Sequence, residues 1–226
     1  MMWLAEAKTQ GRRWIAALAL ATVSALSVAA DEPSAAEKAV FMTPHLAGFK
    51  APGVLHYNYR ETAADQSPIE DTADLSIEND EDASYRISAR YLSGERQLAL
   101  PVVSKAQSNP VILYFLEQDV RQMHADLGGA TNYFRRHIRM ALANSADVAP
   151  VQFTLDGAAH EGTRIRILPF IDVPKIERMK GQEAKQYEFI VSPSVPGGIY
   201  ELRSGVPDKD GRLTHEITLT LNSEGS

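Results

Sequence analysis

The chain has 226 residues, 23 basic and 29 acidic side chains, a formal net charge of −6 and no cysteine. These numbers exclude a disulfide scaffold, a thiolate nucleophile and a Cys-ligated metal. An acidic balance also makes a poor general binder of nucleic acid, whose affinity comes mostly from neutralised phosphates.

Residues 1–30 read as a cleaved signal peptide outside the fold. Lys8, Arg12 and Arg13 form a positive start, Trp14 to Val23 an apolar run, and Val28-Ala29-Ala30 a small-residue cleavage site before Asp31. The run is shorter than the ~20 apolar residues that cross a bilayer, and no later stretch approaches that length. The pattern predicts an exported, periplasmic protein that is not an integral membrane protein. Its mature part is expected to hold a short helix and linker over 31–53 and one α+β domain over 54–226.

Ser34-Ala35-Ala36-Glu37 has capping-box spacing, which predicts a short helix to about Phe41. The Pro- and Gly-containing loop from Thr43 to Gly53 follows. From Val54 the period becomes two. Leu55, Tyr57 and Tyr59 alternate with polar residues, as do Ala73, Leu75 and Ile77, then Tyr85, Ile87, Ala89 and Tyr91; Leu98 and Leu100 continue the pattern as a fourth strand. Strict alternation predicts antiparallel strands with one dry face.

Asn109 to Ala143 breaks this rhythm and predicts two helices. Asn109 caps the first and Pro110 suits its opening position. Ile112, Leu116, Val120, Met123 and Leu127 make one apolar stripe, with Glu117, Gln118, Arg121, Gln122 and Asp126 opposite. Val111 to Leu116 is apolar all round, which predicts that this end is sunk in the core. Gly128-Gly129 stops the helix. Thr131 or Asn132 is expected to cap the second helix, whose inner stripe is Phe134, Ile138, Ala141 and Leu142.

Strands resume with Val151, Phe153 and Leu155, ending at the turn Asp156-Gly157, and continue with Thr163 to Ile171. Pro174 to Gln186 reads as a charged loop or short helix. Tyr187, Phe189 and Val191 lead to a Pro193–Gly198 corner, then Ile199 to Arg203, the Asp208–Gly211 turn and Arg212 to Leu221. The sum is eight or nine antiparallel strands with a helical hairpin, 110–143, inserted after the fourth. So many strands in one sheet curl, and the hairpin is the apolar object available to cover the dry face. The expected fold is therefore α+β: a strongly curved, half-barrel-like antiparallel sheet under an inserted hairpin. This order of elements resembles the half-barrel of the periplasmic lipoprotein carriers and their outer-membrane receptors. The resemblance is one of architecture and carries no binding residues over.

Two candidate sites follow. Arg135, Arg136, His137 and Arg139 put four cationic or titratable groups in five residues, near a helix N-terminus where the macrodipole disfavours positive charge. Guanidinium forks there suit phosphate, carboxylate or an acidic partner; the competing reading pairs them with Glu117, Asp119 and Asp126. Tyr57, Tyr59, Tyr85, Tyr91, Tyr114, Phe115 and Phe134 are the second set, either ordinary core or the wall of a ligand cavity between sheet and helices. No catalytic motif, metal-ligand spacing or cofactor loop is found. His160-Glu161 lacks a second histidine, and Asp208-Lys209-Asp210-Gly211 lacks the later glutamate of a calcium loop.

The leading expectation is a non-catalytic periplasmic binding or accessory protein. It would hold a lipid-like or apolar ligand, or dock on an envelope protein. The alternatives are a hydrolase of envelope polymers whose site assembles only in the fold, and a structural interaction module using an open sheet edge.

Overall fold

A computed structural model describes residues 32–64, 66–173 and 179–222. The signal peptide read over 1–30, and residues 174–178 of the charged loop, lie outside these residues. Nine strands are present among the described residues: β1 Gly53–Ala63, β2 Ile69–Asn79, β3 Tyr85–Tyr91, β4 Val103–Ala106, β5 Asp147–Leu155, β6 Ala158–Ile167, β7 Gln186–Val191, β8 Ile199–Pro207 and β9 Leu213–Asn222. They form one open, strongly curved antiparallel sheet in the order β4-β3-β2-β1-β9-β8-β7-β6-β5.

The period-two pattern places the core. Leu55 stands opposite Leu75, and Tyr57 opposite both Ala73 and Leu221. Leu219 faces Leu202, which faces Phe189, which faces Ile165. These pairs run an unbroken apolar band across the concave face, and the side chains named are buried. The outer face alternates charge between strands instead. Asp147, Arg166, Glu188 and Arg203 are successive partners across β5 to β8.

Several strand boundaries differ from the sequence expectation. Leu98 makes only an isolated bridge to Tyr91; Pro101 lacks a donor, and pairing with β3 resumes at Val103. The fourth strand is therefore Val103–Ala106 rather than Leu98–Leu100. β6 starts at Ala158, because Asp156 (φ 53°) and Gly157 (φ 76°) form a two-residue turn that brings Ala158 opposite Leu155. It ends at Ile167, short of Ile171, since Pro169 biases Leu168 and cannot donate.

The helices are a short segment, α1 Ala35–Glu37, continued by a π turn over Lys38–Met42, and the hairpin α2 Val111–Leu127 and α3 Thr131–Asn144. Both halves of the Ser34/Glu37 capping box are formed, and Ser34 Oγ also donates to Leu142 O at 2.9 Å, tying α1 to α3. Asn109 anchors the hairpin. Its Oδ1 accepts from the Val111 N–H at 3.1 Å, and its Nδ2 donates to Tyr57 Oη and Gly197 O, each at 2.9 Å. Gly128 and Gly129, at φ 75° and 83°, close α2 as expected. Thr131 and Asn132 do not cap α3. The cap position is Ala130, and both side chains accept from Arg135 Nη1 instead.

α2 lies across the concave face and reaches both halves of the sheet. Tyr114 meets Tyr91 of β3 edge to face at 6.3 Å, and Gln118 donates to Tyr59 Oη of β1 at 2.9 Å. Asp119 turns inward, where it is 2 % exposed, and its Oδ1 takes Lys185 Nζ at 2.7 Å. Its other oxygen accepts from the Tyr187 hydroxyl of β7. Asp119 does not join the basic cluster, although its place beside Glu117 and Asp126 suggests that pairing; it answers a lysine 66 residues away instead.

Two stability outcomes follow. Lys185→Met leaves a buried carboxylate short of its counter-charge and should cost about 3 kcal/mol in urea unfolding, with Asp119→Leu/Lys185→Met recovering part of the loss. Gly197→Ala places a Cβ 2.3 Å from Leu55 Cδ1 at φ 69°. It should destabilise by about 2 kcal/mol or more, read as a lower denaturation midpoint.

Candidate functional site

The outward side of the hairpin carries a groove of about 610 Å³. Tyr114, Leu116, Val120 and Ile138 supply an apolar floor from α2 and α3, while Arg136 and Arg139 stand on its wall. Phe41 from the π turn, Leu100 from the β3–β4 connection and Leu113 from α2 complete it. Leu113 is the exception to an expectation that otherwise holds, since Val111, Ile112, Tyr114, Phe115 and Leu116 are buried. The first turn of α2 is apolar all round, yet Leu113 is 55 % exposed and belongs to the groove rather than the core. The signal in the chain is that Leu113 lies off the inner stripe of Ile112, Leu116, Val120, Met123 and Leu127.

The basic cluster divides. Arg135 is engaged: its Nε and Nη2 donate to Glu117 at 2.9–3.0 Å, and its Nη1 to Thr131 Oγ1 and Asn132 Oδ1. His137 sits away from this groove, with Nδ1 2.9 Å from Tyr133 O and its ring 4.2 Å from that of Tyr133. It lines a separate cleft with Met140 and Ile171. Arg136 and Arg139 are exposed, and neither has a hydrogen bond or ion pair among the described residues. The cluster thus yields one structural arginine and two uncommitted guanidinium groups, one helical turn apart, beside an apolar floor.

Glu117 sets the local field. Burial disfavours its charge, but hydrogen bonds from Arg121 and Arg135 outweigh that and hold its carboxyl below the usual carboxylate range. Its charge is answered twice over, so the groove wall is positive on balance.

The seven aromatic residues lie mainly in the sheet–helix interface. Tyr57, Tyr59, Tyr91, Phe115 and Phe134 are each 3 % exposed or less, and Tyr114 is 6 % exposed. Their polar tips are partly used. Tyr57 Oη donates to Ile199 O, and Tyr59 Oη donates to Glu61 at 2.9 Å, whose other oxygen holds His215 at 2.8 Å. Burial pushes both phenols well above their ordinary range. Tyr85 is half-buried at the start of β3, paired on both sides, and donates to Phe49 O. Of the seven, Tyr114 also lines the groove.

A second cleft, about 840 Å³, lies between the 43–53 loop and the Pro193–Gly198 corner. Burial lowers the pKa of His45 there, whose Nε2 is 2.8 Å from Ala39 O. Ser194 Oγ approaches His160 Nδ1 at 3.0 Å. The His160 ring stacks on Phe153, and no carboxylate bonds it among the described residues, so the orienting acid of a nucleophilic triad is not supplied there. Asp208 is a turn residue whose Oδ1 accepts the Asp210 and Arg212 N–H groups. Among the described residues, no helix is long and apolar enough to cross a membrane.

The molecule is thus an open antiparallel half-barrel with a helical cover that is apolar beneath and cation-rimmed outside. No family model and no curated protein matches the chain. Among solved structures it is similar to MucB, with a TM-score of 0.35 and 13% identity, covering 86% of this chain and 62% of that one. It is also similar to the MucA/MucB complex of Pseudomonas aeruginosa, with a TM-score of 0.31 and 12% identity over 76% of this chain and 52% of that chain. A LolA superfamily protein from Nitrosomonas europaea aligns with a TM-score of 0.21 and 8% identity over 83% of this chain and 91% of that one. The chain spans between about half and three-fifths of the MucB chains it matches.

Arg135→Ala should move the Glu117 titration, followed by carboxylate NMR, up toward the ordinary glutamate value. The native pKa is depressed, so the pair's stabilisation is present above the unfolded glutamate value, about 4.3, and fades as pH falls through the native pKa. The stability change near neutral pH should stay below about 1 kcal/mol, because Arg135 is 44 % exposed.

Proposed function

We propose that this is an exported, periplasmic, non-catalytic binding or accessory protein whose ligand is an apolar or lipid-like molecule with an anionic end. The observation that carries this reading is the pair of unpartnered guanidiniums, Arg136 and Arg139, over the apolar floor of the hairpin groove. Guanidinium forks bind phosphate or carboxylate through paired hydrogen bonds, and the floor takes a chain or ring system out of water. The volume falls within the range of small-molecule sites, about 300–1,000 Å³.

The ligand site in this proposal is the outer groove rather than the sheet–helix interface. That interface is occupied by aromatic rings and by the Asp119, Gln118 and Asn109 hydrogen bonds that hold the hairpin down. Tyr114 belongs to both faces of α2 and links the two. Export rests on the Lys8–Ala30 pattern, which is also what places the ligand among envelope components.

The test is displacement of the anionic fluorophore anilinonaphthalene sulfonate by dodecanoate from delipidated protein. Arg136→Ala/Arg139→Ala should weaken dodecanoate by about tenfold or more, since hydrogen bonds to charged groups contribute about 1.5–3 kcal/mol each. Leu113→Asp should abolish fluorophore binding, and Arg135→Ala should change little. Dodecanoate affinity unchanged in both the double arginine variant and Leu113→Asp would remove the groove as the ligand site.

A further inference from the structure

We propose that the outer face of the helical hairpin docks on the surface of an anionic lipid bilayer. The described residues include seven large apolar side chains that are exposed, and five of them, Met42, Leu113, Tyr133, Met140 and Ile171, lie on the hairpin or the segments beside it. Tyr133, Arg136 and Met140 follow one another at i, i+3 and i+7 on α3, opposite the buried Phe134, Ile138 and Leu142. Arg136 and Met140, four residues apart on α3, set the groove beside the neighbouring cleft. Leu113 shares the groove wall with Arg136 and Arg139, and Met140 shares the adjoining cleft with Ile171.

The chemistry matches an interface between water and lipid. Surfaces that dock on anionic membranes combine cations, which meet the phosphates, with apolar or aromatic side chains that reach the acyl boundary. Arg136 and Arg139 are unpaired and meet this need. The acids of α2 beside them do not cancel them: Glu117 is neutralised by Arg121 and Arg135, and Asp119 is buried against Lys185. Asp172 lines the cleft of Met140 and Ile171 rather than the groove of the two arginines. Asp126, which accepts from Gln122, lies at the far end of α2. Tyr133 and Met140 flank the two guanidiniums along α3, and Leu113, Ile171 and Met42 each stand singly on neighbouring segments. A fluid surface accepts that spacing without matching holes, whereas a protein surface needs a hole for each.

This inference shares Arg136 and Arg139 with the proposed groove ligand but stands on side chains outside the groove, Tyr133, Met140 and Ile171. The chain's net charge of −6 opposes approach from other directions, so docking is oriented and weakens with salt.

The experiment is co-sedimentation of the mature chain, residues 31–226, with phosphatidylglycerol/phosphatidylethanolamine vesicles and with phosphatidylcholine vesicles. Partition should favour the anionic vesicles, and Arg136→Glu/Arg139→Glu should reduce it by on the order of thirtyfold. Tyr133→Ser/Met140→Ser, with circular dichroism confirming the fold, should reduce partition several-fold while leaving dodecanoate affinity unchanged. Equal partition to both vesicle types, or partition insensitive to the serine variant, overturns bilayer docking. Loss of partition only together with dodecanoate binding assigns the signal to single lipids in the groove and likewise overturns it. Absence from every vesicle, with retention on immobilised polyglutamate, assigns the face to an acidic protein and overturns it too.

Discussion

A single buried carboxylate joins the two layers of this molecule. Asp119 leaves α2 inward, and Lys185 and Tyr187 meet it from the sheet at β7. A buried ion pair of this kind adds little net stability against a well-packed apolar alternative, but it tolerates few other arrangements, because any slip of α2 strands a charge in the core. Asn109 performs the matching task at the start of α2, where one amide serves the helix, β1 and the Gly197 corner together. Between these two pins the rotation of α2 is set, and with it the side chains that face outward.

That rotation makes the outer face chemically distinctive. With Asp119 turned in, Glu117 lies within reach of both Arg121 and Arg135, which satisfies it and consumes Arg135. Arg136 and Arg139 are then left facing solvent beside Leu113 and Val120. Burying one acid and saturating the next strips negative charge from a face of an otherwise acidic protein. The outer side of the sheet shows the opposite treatment, with alternating Asp147, Arg166, Glu188 and Arg203 balancing one another from strand to strand.

How much of this was legible depended on range. Period-two alternation, the Ser34 capping box and the Gly128-Gly129 stop act within a few residues, and those parts of the fold read directly from the chain. Asp119 could not be read so. An aspartate on a helix resembles a solvated residue until Lys185, far along the chain, is brought beside it. The basic cluster was visible as a group, but its division depended on Glu117 of the neighbouring helix claiming Arg135. The same contact took Thr131 and Asn132 away from the capping role that their local preference favours. Leu113 was misplaced because a run of apolar residues does not say which member the sheet fails to cover.

The order of strands carries a consequence for assembly. β1 has β9 as its neighbour, so the sheet is two four- and five-stranded halves, β4 to β1 and β9 to β5, whose seam joins the earliest strand to the latest. Until β9 is in place, β1 presents an unpaired flank and the concave side is only half built. Such distant pairing raises contact order and slows folding. The fold therefore depends on the ten-residue strand β9 to weld two incomplete sheets into one.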